Sequence, residues 1–238
     1  MNSTTPTPKK KTIEKFFGKI YIVIFAVIMF AGAAVKLAFT LSQTSATNIW
    51  KFILIFDTIT TLLTAASLFL FYMSSDTKTK TGTKISAVTF LVASALTVFT
   101  QFFVFLYYMS VSFSVVIAML TLLFFGAQSL FMLYFAIRLT IDVFKSQISA
   151  KGALAYAGAK AFSIIPMLII RFVKSELLAL DHFHTPFENA TVTRVDYPEI
   201  AFYLAIASAL VMTIFALLYN KFANDCKEES EETTTEDK

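Results

Sequence analysis

Among the charged side chains inside long apolar stretches, Lys36 and Asp57 are the pair that could do chemistry there. Lys36 interrupts the run 20–41, and Asp57 interrupts the run 49–73. Ionisable groups surrounded by hydrocarbon are costly and rare, so they are the first functional candidates. Lys36 lies about five residues before the end of its run and Asp57 about eight residues into the next. At a rise of ~1.5 Å per residue, both fall at a similar depth, about 8–12 Å inside. A short connection makes the two helices antiparallel neighbours, so the spacing predicts a Lys36–Asp57 pair or a shared polar cavity. A competing reading is structural. A long lysine near an interface can snorkel to water, and Asp57 can bond to hydroxyls and simply hold helices together.

Asp57 is followed on its own helix by Thr60, Thr61, Thr64 and Ser67. Offsets of three, four, seven and ten residues share one broad helical face. Thr89, Ala93, Thr97, Thr100 and Gln101 form a similar stripe on the next apolar run, and Gln128 sits near the middle of the one after. Together they predict a polar seam between the second, third and fourth helices. Such a seam can be a narrow hydrated path for a proton, ion or small solute. It can equally be interhelical glue, worth on average about 0.6 kcal/mol per hydrogen bond. The transport candidates are therefore Lys36, Asp57, Thr61, Thr64, Gln101 and Gln128.

Other chemistry is sparse. His182, His184 and Asp181 cluster in a polar loop, but a structural zinc site usually needs four ligands, so no metal is expected. No histidine lies at helical spacing in an apolar run, which leaves haem without an axial ligand. Gly-x-Ser-x-Gly, His-Glu-x-x-His, a Gly-rich phosphate loop and paired intramembrane aspartates do not occur. No cofactor and no enzymatic activity are expected. Cys226, the only cysteine, is a candidate for palmitoylation beside the membrane. Asn189-Ala190-Thr191 is a candidate glycosylation sequon.

The elements that must position these residues follow from the apolar pattern. The chain has 238 residues, 57% of them hydrophobic and only 15% charged, with 27 Phe. A soluble domain is about 45–50% apolar and about 25% charged. A membrane-spanning helix needs about 20 mostly apolar residues, and six runs qualify: 20–41, 49–73, 85–109, 115–144, 153–173 and 200–220. Barrel strands would alternate over about 10 residues, whereas these runs are continuous. The expected fold is all-α, a polytopic transmembrane bundle of six spans over residues 20–220. The first run is longer than the ~7–15 residues of a signal-peptide core, so it is read as a retained span.

Basic residues set the orientation. Lys9, Lys10, Lys11, Lys15 and Lys19 precede the first run; Lys78, Lys80 and Lys84 join the second and third. Arg138, Lys145, Lys151 and Lys160 join the fourth and fifth, and Lys221 and Lys227 follow the sixth. With six spans all of these share one side, expected to be cytosolic with both termini. Lys174 and Arg194 break the trend. Asn189 then faces outward, while the sequon at Asn2 stays inside. The expected membrane is that of a eukaryotic secretory pathway or the plasma membrane.

Residues 1–19 and 221–238 are expected to be disordered tails, the first basic and the second acidic, because neither can bury enough apolar area. Ala153, Ala157 and Ala161, and again Ala201, Ala205 and Ala209, recur at the spacing that lets helices approach closely. They predict a contact between the fifth and sixth helices or an oligomer face. Pro166 should kink the fifth. The basic patches beside apolar runs suit lipid headgroups rather than nucleic acid; a homo-oligomer or a membrane-protein partner is the other expected contact. Two functions fit these features: permeation through the Asp57 seam, or a non-catalytic scaffold or assembly factor acting through helix packing and the acidic tail. A void reaching Asp57 would favour the first and a filled interior the second.

Overall fold

A computed structural model of the chain describes residues 13–42, 48–76, 80–111, 119, 122–165, 168 and 199–236. Every element among them is helical. These are α1 (Ile13–Phe17), α2 (Ile20–Ser42), α3 (Asn48–Asp76) and α4 (Lys80–Val111), then a π-helical turn (Leu122–Gly126) running into α5 (Ala127–Lys145), α6 (Ala153–Phe162) and α7 (Glu199–Glu236). Five segments are long and apolar enough to cross a membrane: Ile20–Leu41, Lys51–Ser75, Lys80–Leu106, Leu122–Lys145 and Phe202–Glu228. The fifth expected run, 153–173, is described as α6 and a few residues beyond. Pro166, Arg171, Asp181, His182, His184 and Asn189 lie outside the described residues.

The helices form a closed ring. Each of α2 to α7 packs on the next in chain order, and α7 packs back on α2. Its outer surface is apolar, with Ile24, Val27, Phe52, Val92, Phe131 and Leu217 exposed, while Thr60, Thr64, Ser67, Ser94 and Gln128 are buried. A water-soluble protein distributes these types the other way round. In lipid, a helix satisfies its own backbone and leaves polar side chains to turn inward.

Small residues bring the helices close. A Cβ at Gly32 of α2 would sit 3.0 Å from Ser208 Oγ of α7, so a larger residue there would make the Ser208 side chain give way. Ala153, Ala157 and Ala209 are buried where α6 meets α7, while Ala161 is exposed. The expected alanine contact is thus made by part of each stripe.

One end of the ring is closed by aromatic rings. Phe17 of α1 stacks on Phe71 of α3 with centroids 3.9 Å apart. Phe16 meets Tyr219 edge-on at 5.3 Å, and Phe215 lies 6.1 Å from Phe135 and 6.3 Å from Phe90. Each such pair contributes about 0.5–1.5 kcal/mol beyond its area burial. Residues 13–19, expected to belong to a disordered tail, are instead part of the fold because Phe16 and Phe17 are fully buried. At the other terminus α7 continues as a helix to Glu236, through the acidic segment expected to be unstructured. A helix already nucleated extends cheaply, and Ala, Glu and Lys favour it.

The connection from α5 to α6 is built around Asp142. Ser146 ends α5 in the left-handed conformation (φ 52°) and its N–H bonds the Asp142 carbonyl. The buried Asp142 carboxylate accepts the Ser149 N–H at 3.0 Å and the Tyr219 hydroxyl at 2.9 Å, tying this loop to α7. Gly152 then turns the chain into α6 at φ +84°, where a Cβ would meet the Tyr134 ring at 2.7 Å. Arg138, four residues before Asp142, packs over the Tyr134 ring at 5.6 Å.

Candidate functional site

Above the aromatic end, the ring encloses a cavity of about 280 Å³ to which all six of its helices contribute. That volume is far above the ~10–15 Å³ that one water needs. It falls just below the ~300–1,000 Å³ of pockets for drug-sized ligands.

Lys36 and Asp57 meet on its wall. Lys36 Nζ donates to Asp57 Oδ2 at 2.7 Å and to Thr61 Oγ1 at 3.2 Å. The two side chains keep 25% and 35% of their surface accessible, so the pair faces the cavity instead of being sealed in a core. A charge-assisted hydrogen bond of this length is roughly twice as strong as a neutral one. The pairing spares the bilayer two isolated charges.

The threonine stripes reach the same space. Thr60, Thr61 and Thr64 of α3, and Thr97, Thr100 and Gln101 of α4, line it, with Gln128 of α5 opposite. Thr60 and Thr61 donate to the Asp57 carbonyl at 2.9 and 2.8 Å, and Thr64 donates to the Thr60 carbonyl at 2.8 Å. Thr97 and Thr100 bond back to their own helix at 2.9 and 2.8 Å. With each hydroxyl proton spent inside its helix, the oxygen lone pairs remain as acceptors. The polar wall therefore offers mostly acceptor oxygens, punctuated by ammonium and amide donors. Ser67 is buried without lining the cavity, and Thr89 stands on another part of α4.

The π-helical turn shapes the opposite wall. Phe125 in the turn and Gln128 just after it both line the cavity. A π-turn offsets the helical register by a residue and is frequent at functional sites. The Ser163 hydroxyl lies 3.3 Å from Gln128 Oε1, joining the end of α6 to this wall.

Sequence reasoning missed three lining residues on α6: Tyr156, Lys160 and Ser163. Their spacing of four and then three residues is one helical face, which is the signal that was present. Lys160 falls within the run 153–173 and also among the cations that set orientation; the structure places it on the cavity wall. It belongs with Lys36 as a charge inside an apolar run. Ser208 of α7 was also missed.

Cys226 lies half-buried on α7. Among the described residues no group of three or more His, Cys, Asp or Glu side chains is gathered to hold a metal. The arrangement provides a chamber inside an apolar ring, with charged and hydroxyl side chains set among apolar ones on its wall. No family model matches the chain, and neither does any curated protein or solved structure.

Proposed function

We propose that this chain is a small permeation protein, a transporter or channel that passes a solute through the chamber around Asp57. On this reading it crosses the membrane six times, with α6 and the residues after it as the fifth span and both termini in the cytosol. Asn189 then faces the lumen or cell exterior, and Cys226 lies near the cytosolic leaflet. The membrane is that of the eukaryotic secretory pathway or cell surface. Lipid is the main partner, with a second copy or another membrane protein as the further contact. No bond-breaking step and no cofactor are invoked.

The observation that carries the proposal is the cavity itself. Close-packed interiors rarely hold voids larger than a water molecule. This one is lined by an ion pair and by the polar stripes of two helices. A scaffold whose threonines served only as glue would be expected to close that space.

The test is flux in proteoliposomes, offering protons, potassium, chloride and lactate in turn. Wild-type protein should pass at least one of them above protein-free vesicles. Asp57→Asn should lower that flux at least tenfold while the protein still elutes as a monodisperse species. The same leak in both proteins would remove the permeation reading and leave the scaffold.

A further inference from the structure

Among the described residues the charges lining the chamber do not balance. Lys36 is matched to Asp57, but Lys160 lines the same cavity and lies within electrostatic range of both. Among the described residues Lys160 Nζ has neither an ion-pair nor a hydrogen-bond partner. An ammonium group held in a bilayer without a counter-charge is costly. The described lining carries one positive charge more than its carboxylate offsets.

We propose that Lys160 is the counter-ion for a small organic monoanion, a short hydroxycarboxylate, which this chamber binds. The proposal rests on the permeation reading and names its substrate class. The carboxylate pairs with Lys160 Nζ and restores neutrality to the site. The ligand's hydroxyl donates to the threonine oxygens, whose own protons are committed to their helices. Met29, Met132 and Met212 supply apolar, adaptable surface for a short carbon tail. Tyr156, which also lines the cavity, keeps a buried hydroxyl with no hydrogen-bond partner among the described residues. It is a second donor within the same wall. The modest volume selects a ligand of a few carbons rather than a lipid or nucleotide.

The experiment uses the full chain in lipid nanodiscs and three probes of equal size that differ in charge: lactate, propylene glycol and isopropanolamine. Binding is read by calorimetric titration and by thermal stabilisation, at constant chloride. Lactate is expected to bind saturably and to raise Tm, with no comparable response to the neutral or cationic probe. Lys160→Met should weaken lactate binding at least tenfold, and Lys160→Arg should keep it within about threefold, since either cation can face a carboxylate. Equal response to all three probes, preference for the amine, or unchanged lactate affinity in Lys160→Met would overturn the proposal. If Lys160→Met does not fold, the wild-type charge series and the arginine variant decide. Saturable lactate binding with no flux of any solute would sink permeation and leave this site standing. Asp57-dependent flux of another solute with no lactate binding would do the reverse.

Discussion

The two ends of the helical ring are made by the same helices and differ in what fills them. At one end Phe16, Phe17, Phe71, Phe90, Phe135 and Phe215 exclude essentially all solvent. At the other, Lys36, Asp57, Lys160 and the threonine stripes surround open space. The closed end relies on ring contacts and apolar burial for its energy, with the Asp142 carboxylate at its border held by the Tyr219 hydroxyl. The open end gives up packing density and holds its shape through an ion pair and through hydroxyls tied to their own helices. A void next to so dense a cluster is a property of its lining, since aromatic rings of the same helices could have filled it. Stability and function are therefore expected to separate along the length of the bundle.

That separation can be broken by substitution. The largest effect is expected for Phe215→Ala, which deletes a fully buried ring touching Phe16, Phe17, Phe90 and Phe135. Core Phe→Ala changes cost about 3–5 kcal/mol, so reversible unfolding in detergent should show a loss of that size. A loss below about 1 kcal/mol would mean that the aromatic end is not what holds the ring together. Tyr219→Phe is next. It keeps the ring but removes the hydroxyl that Asp142 accepts at 2.9 Å, at an expected cost of about 1.5–3 kcal/mol for a hydrogen bond to a charged group. Hydrogen exchange should rise first in the α5–α6 connection, which the same carboxylate holds. The smallest stability change is expected for Thr61→Val, which keeps the shape and removes one acceptor of Lys36. Unfolding should move by about 0.5 kcal/mol or less, while flux through the chamber falls severalfold. If Thr61→Val instead destabilises the protein as much as Phe215→Ala, the two ends are one cooperative unit and the contrast disappears.

Much of the open end was legible in the sequence, for a physical reason. Lys36 and Asp57 sit on consecutive helices joined by a short connection, so counting residues from that connection is enough to bring them level. The threonine stripes follow from helical periodicity alone. Lys160 was harder, because Pro166 and Arg171 make its segment look like a poor span and its charge look like part of a loop. The closed end was harder still. Phe16 and Phe17 are separated from the first apolar run by Gly18 and Lys19 and stand in a lysine-rich stretch. Their partners Phe71, Phe215 and Tyr219 are dozens to hundreds of residues away along the chain. Local pattern carries no record of such contacts. The acidic end of α7 was misjudged for a related reason: its composition disfavours a folded core but does not oppose extension of an existing helix.

The bond between Lys36 and Asp57 joins two long helices that are consecutive along the chain. A hairpin of α2 and α3 can therefore enter the bilayer with its two charges already neutralising one another, before any other wall of the chamber has been translated. Lys160 arrives three helices later, when that hairpin and α4 are already in place to receive it. The order of the charged residues along the chain thus doubles as an order of assembly. Swapping Lys36 and Asp57 would preserve the pair and this hairpin, whereas moving either charge onto α7 would leave its mate stranded in lipid until α7 had been made.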